Sequence, residues 1–102
     1  MKRTILTLAS VAVLGLSSTA MAAGNIAAGK AKAASCVGCH GPAGKSAIPT
    51  FPNLAGQKAA YTAKQLRDFK NGTRKDGTMA PQAKGLSDAD IDNLAAYYAS
   101  VK

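Results

Sequence analysis

Cys36-Val37-Gly38-Cys39-His40 holds both cysteines and the only histidine of the chain. The C-x-x-C-H spacing is the attachment signal for a c-type haem. Two thiols two residues apart can reach the vinyl groups on one edge of the ring and form thioether bonds. The histidine that follows is then held beneath the ring, where an imidazole nitrogen can bind iron. Small Gly38 leaves room for the macrocycle. A thioredoxin-like redox pair would need a βαβ setting, and no alternation of strand and helix is visible. A structural zinc site wants four ligands, and only three crowded ones exist. A plain disulfide is the remaining reading, but of these only haem attachment demands the histidine.

The rest of the chain frames that motif. It has 102 residues and a net charge of +8, enough for one domain. Lys2 and Arg3 precede a largely apolar run from Ile5 to Leu16, and Ala20-Met21-Ala22 follows as an A-x-A cleavage site. The pattern is that of a secretory signal peptide over residues 1–22. The apolar run falls short of the roughly 20 residues that cross a bilayer, and no stable membrane insertion is expected. The mature domain, residues 23–102, then lies in the periplasm. Without Lys2 and Arg3 its charge is +6 (8 minus 2). Such a basic balance suits solubility or an acidic protein partner; nucleic acid is not expected for an exported protein. A domain this small needs a staple. If both thiols are spent on haem, the haem itself supplies the missing core, and the apo-chain is expected to be largely unfolded.

An all-α fold is expected. Asn25 can cap an alanine-rich helix through Ala34. Gly29 inside it costs about 1 kcal/mol relative to alanine, which calls for close approach by another helix. Residues 41–57 read as an irregular loop whose Ile48, Phe51 and Leu54 could cover a haem. A backbone carbonyl there is the natural acceptor for the second ring N–H of His40. A second helix is expected from Lys58 to Asn71, ended by Gly72, with Tyr61 and Phe69 packed in a core of which the haem is part. Residues 73–86 read as a second polar loop. Its Met79 is the one methionine left once Met1 and Met21 depart, and His plus Met is a known axial pair that raises the reduction potential. Ser87 opens the last helix, with Ser87 and Asp90 as a capping box. Ile91, Leu94, Ala95, Tyr98 and Val101 form its apolar face, and Tyr97 or Tyr98 is set against Gly29.

Over its whole mature length the chain resembles the small bacterial class I cytochromes c of the periplasmic monohaem kind. It is also similar to one domain of the dihaem periplasmic cytochromes c. The resemblance rests on the Ala/Lys-rich first helix with Gly29, on Cys36–His40, on Pro52-Asn53-Leu54-Ala55-Gly56, on Tyr61 with Gln65-Leu66, on Met79-Ala80-Pro81 and on Leu94–Tyr98. It implies three main helices and loops wrapped around one covalent haem c. It also implies thioethers at Cys36 and Cys39, His40 and Met79 as axial iron ligands, and the Pro52 carbonyl as acceptor for His40. Asn25 departs from the acidic residue common there. A single C-x-x-C-H excludes a dihaem protein.

The function so implied is soluble single-electron transfer, without catalysis. The expected partners are redox proteins with acidic docking surfaces: a membrane cytochrome complex, a terminal oxidase or a periplasmic reductase. A monomer is expected. The alternative is a haem enzyme or gas-binding haem protein in which the sixth ligand is displaceable.

Overall fold

The computed structural model describes residues 24–102. The expected signal peptide lies outside the described residues, apart from which the chain folds as five α-helices and no strand among the described residues. The elements are α1 (Ile26–Lys32), α2 (Val37–His40), α3 (Ala59–Asn71), α4 (Met79–Lys84) and α5 (Asp88–Ser100), with short 3₁₀ turns at Ala33–Ser35 and Pro42–Gly44. None is long and apolar enough to cross a membrane.

α1 starts where Asn25 says it should. The Asn25 side chain accepts the Ala28 N–H at 2.8 Å, satisfying one of the donors that a helix start leaves free. α1 then crosses α5, and Gly29 is the reason it can. A Cβ on Gly29 would run into the Asn93 carbonyl and lie 2.8 Å from Tyr97 Cβ. The expected close approach is therefore real, with Tyr97 rather than Tyr98 beside the glycine and the Asn93 backbone at the tightest point. Asn93 Oδ1 also accepts the Asn25 N–H at 2.7 Å, so the crossing is tied by a hydrogen bond as well as by packing.

α5 supplies the centre of the core. Ile91, Leu94, Ala95 and Tyr98 are almost fully buried, at the helical spacing read from the sequence. Ala33 and Leu86 join them, with Leu54, Leu66 and Tyr97 packed around. The start of α5 is a complete capping box: Ser87 Oγ accepts the Asp90 N–H and Asp90 Oδ2 accepts the Ser87 N–H, both at 3.0 Å. Arg67 of α3 reaches Asp92 at 3.0 Å and Asp88 at 3.5 Å, joining α3 to the same end of α5. These carboxylates raise the Arg67 pKa further, chiefly through the hydrogen bond with Asp92.

One expectation needs correction. Residues 73–86 are not all loop, because Met79–Lys84 forms α4. Pro81 is the third residue of that helix, where its missing N–H would have had no intrahelical partner anyway. Phe69 is buried by the chain itself, at 7% exposed, whereas Tyr61 is 50% exposed and borders the cavity described below.

Candidate functional site

The site is built from the backbone of α2 outward. α2 is one turn long, and its ends are fixed by backbone hydrogen bonds from His40 N–H to Cys36 O and from Gly41 N–H to Val37 O, both 2.9 Å. That turn carries Cys36 and Cys39, both free thiols and half-buried, and ends at buried His40. Gly38, between the cysteines, has open space where a Cβ would be. Gly41 then takes φ +80°, a conformation that favours glycine, and turns the chain into the loop leading to Pro52.

The loop comes back under His40. Nδ1 of His40 is 2.8 Å from the Pro52 carbonyl oxygen. A carbonyl can only accept, so Nδ1 carries the proton, and in the neutral ring Nε2 keeps its lone pair. This is the usual arrangement of a ligating histidine, in which the second nitrogen is fixed by an outer acceptor. The Phe51 ring stands edge-on to the imidazole at 6.3 Å between centroids.

His40 opens on a cavity of about 420 Å³. Cys36, Cys39 and Pro52 line it from α2 and the loop, Leu66 and Phe69 from α3, and Met79 from the start of α4. All five site residues read from the sequence thus border one space. Phe51 and Leu54 also line it, but Ile48 does not: it is 41% exposed and borders a separate shallow depression with Pro49 and Asn53. Tyr98, from the core face of α5, reaches the same cavity, and burial holds its hydroxyl protonated well above the usual tyrosine range.

A porphyrin fits what the residues leave. The wall is mainly apolar, carries two thiols and one imidazole, and includes polar side chains such as Gln65, Arg74 and Gln82. Within it the Thr62 hydroxyl is buried and has no hydrogen-bond partner among the described residues, a state expected where another group completes the surroundings. Among the described residues no three His, Cys, Asp or Glu side chains are placed to share a metal ion.

Two residues that the sequence reading left unassigned, Asp76 and Arg74, shape the approach to Met79. Asp76 Oδ1 accepts the Thr78 N–H at 2.9 Å and the Met79 N–H at 2.8 Å. These two backbone donors hold the Asp76 carboxyl below the usual carboxylate range, that of Met79 most strongly. Arg74 lies with its guanidinium 4.5 Å from the centroid of the Phe69 ring and donates to Gln65 Oε1 at 2.8 Å. An aspartate three residues before a helix that starts without its own side-chain cap was the available signal.

A model of the cytochrome c family matches residues 26–102. Cytochrome c4 of Pseudomonas aeruginosa is 51% identical over 89 residues, covering 87% of this chain and 44% of that protein. Cytochrome c-554(548) of Halomonas halodenitrificans is 47% identical, covering 76% of this chain and 98% of that protein. The crystal structure of reduced recombinant cytochrome c4 from Pseudomonas stutzeri superposes with a TM-score of 0.74 at 43% identity, over 78% of this chain and 47% of that one. The chain spans about half the length of the cytochromes c4 it matches.

Proposed function

The chain belongs to the cytochrome c family, its cofactor is haem c, and from that premise we propose that it is an exported single-electron carrier. The observation that carries the proposal is the His40–Pro52 hydrogen bond, which leaves Nε2 as a donor beside the cavity that Met79 also lines. When bound, haem c supplies a one-electron Fe(II)/Fe(III) couple. Everything else is the work of the chain. Cys36 and Cys39 tether the ring through thioethers. Pro52 keeps the proton on Nδ1 and sets the plane of the His40 ring. Met79 offers a soft, neutral sulfur, which favours the ferrous state. His40 and Met79 would together hold the iron and leave it closed to substrate, so the protein would carry electrons without catalysis. Residues 1–22 act as the signal peptide, which directs the domain to the periplasm.

The charge distribution supports acidic redox partners. All five aspartates are engaged within the fold: Asp68 with Lys64, Asp88 and Asp92 with Arg67, Asp90 with Lys32, and Asp76 with the backbone before α4. Lys30, Lys45, Lys58, Lys75, Lys84 and Lys102 stand exposed outside those ion pairs. The uncompensated surface charge is therefore positive, and encounter with an acidic partner should slow as salt rises.

The test is spectroscopic. A pyridine haemochrome assay should give one haem c per chain. The ferric protein should show the weak far-red band of sulfur bound to ferric iron, and Met79→Ala should abolish it and lower the potential. Survival of the band in that variant removes Met79 from the ligand set. Rapid stoichiometric binding of carbon monoxide to the native ferrous protein would overturn the carrier reading.

A further inference from the structure

Residues 71–78, which deliver Met79, are all exposed. Apolar burial therefore does not hold this segment in place; polar ties do. At its start, the Arg74 N–H donates to the Asp68 carbonyl at 3.0 Å, while the Arg74 side chain is fastened to Gln65 and Phe69 on α3. At its end, three consecutive N–H groups converge on one residue. Those of Thr78 and Met79 donate to Asp76 Oδ1, and that of Ala80 donates to the Asp76 carbonyl at 2.9 Å. Gly77, inside this turn, has nothing within 4 Å of where a Cβ would stand, so no side-chain packing substitutes for the hydrogen bonds.

We propose that Asp76 is a positioning residue that fixes the backbone of Met79 and thereby sets how firmly the sulfur holds its axial position against competing ligands. The proposal rests on the reading of Met79 as an axial ligand. The physics is that of effective concentration. A methionine side chain has several rotatable bonds, and its chance of presenting sulfur to one point depends on where its Cα–Cβ bond starts. With the Met79 N–H fastened to a carboxylate three residues back, that starting vector is set. Without it, the exposed segment samples more backbone states, and the local concentration of sulfur falls. Asp76 acts through hydrogen-bond acceptance, so an uncharged acceptor of the same shape keeps most of the effect, with somewhat weaker bonds than the carboxylate makes.

The test titrates ferric holoprotein with imidazole, which competes with Met79, and follows loss of the far-red sulfur band. Asp76→Ala should bind imidazole several-fold more tightly than wild type, with the thermal midpoint of the ferrous protein little changed. Asp76→Asn, whose amide oxygen can accept the same two N–H groups, should lie closer to wild type than to Asp76→Ala. Asp76→Ser, with a shorter acceptor, should fall between them, and serves if the alanine variant does not accumulate as holoprotein. Wild-type imidazole affinity in Asp76→Ala or in Asp76→Ser overturns the proposal. So does an Asp76→Asn variant as weak as Asp76→Ala, which would make charge the operative property. Met79→Ala separates the two levels. If it keeps the far-red band, the ligand reading itself fails; if it loses the band while Asp76→Ala is unaffected, only the role of Asp76 fails.

Discussion

The two sides of the cavity are held by different physics. The side bearing His40 is dense. Gly44 is buried at φ +72°, with the Tyr98 ring 2.8 Å and the Ala55 nitrogen 2.9 Å from where its Cβ would be. Leu54 and Ala55 both donate to the Gly44 carbonyl, at 2.8 and 3.1 Å, and Gly56 donates to the Tyr98 carbonyl at 2.8 Å. The loop is thereby clamped between α2 and the end of α5, and Pro52 is carried to His40 by the clamp. The side bearing Met79 is thin: an exposed segment, two polar anchors and one six-residue helix. A ligand set built this way has one rigid donor and one whose placement depends on a few solvent-facing hydrogen bonds. Any ligand exchange should start at the methionine.

Substitutions at glycine break or sharpen that contrast. The largest effect is expected at Gly44→Ala. It forces a side chain into left-handed backbone, at roughly 1–2 kcal/mol, and drives a methyl into packed neighbours, at roughly 1–3 kcal/mol. A drop of about 3 kcal/mol in the urea unfolding free energy of the holoprotein is the expected result. A loss below about 1 kcal/mol would mean that the loop yields and the two sides are not so different. Pro52→Ala should do much less, because the accepting carbonyl belongs to the backbone and survives; about 0.5–1 kcal/mol is expected from the freer unfolded chain, with the far-red band unchanged. On the thin side, Gly77→Ala meets no neighbour and is not at positive φ. It should leave stability unchanged or raise it by up to about 1 kcal/mol. A strongly destabilised Gly77→Ala would place hidden packing on the methionine side.

The same contrast explains what the sequence made legible. The proximal half is nearly contiguous: Cys36 to His40 is a single turn, and Pro52 lies one loop away. The terminal helices were also readable, since the Asn25 cap, the Ser87–Asp90 box and the spacing of Ile91, Leu94 and Tyr98 are local patterns. Gly29 announced a close approach because glycine inside a helix is costly without one, though its partner could not be read more finely than Tyr97 or Tyr98. α4 was hidden because Pro81 and the flanking glycines outweigh six residues of helical sequence. Asp76 sits outside the helix, where an aspartate before glycine signals a turn but not the helix that follows it. Tyr61 keeps its place in the helical stripe and lines the cavity, so the chain alone leaves it half exposed.

The smallest expected effect lies where the methionine segment joins α5. Asp90 has its pKa lowered, first by the hydrogen bond from the Ser87 N–H, with Lys32 adding to it. A carboxyl whose folded pKa lies below its unfolded value, near 3.9, stabilises the fold fully above that unfolded value. The contribution is lost as pH falls through the folded pKa, because protonated Asp90 no longer holds the Ser87 N–H or Lys32 as strongly. Stability should therefore be level from pH 7 to pH 5 as far as this group is concerned and decline below pH 4. Asp90→Asn keeps an acceptor for Ser87 but has no proton to gain, so urea midpoints measured at pH 7 and pH 3 should differ less in the variant than in wild type. Because Asp90 caps the helix that follows the methionine segment, and not the loop that carries Pro52, the far-red band should weaken over this acid range while the haem remains tethered. An equal acid sensitivity in Asp90→Asn would move the acid-labile group elsewhere, with Asp76 the first alternative on this side of the cavity.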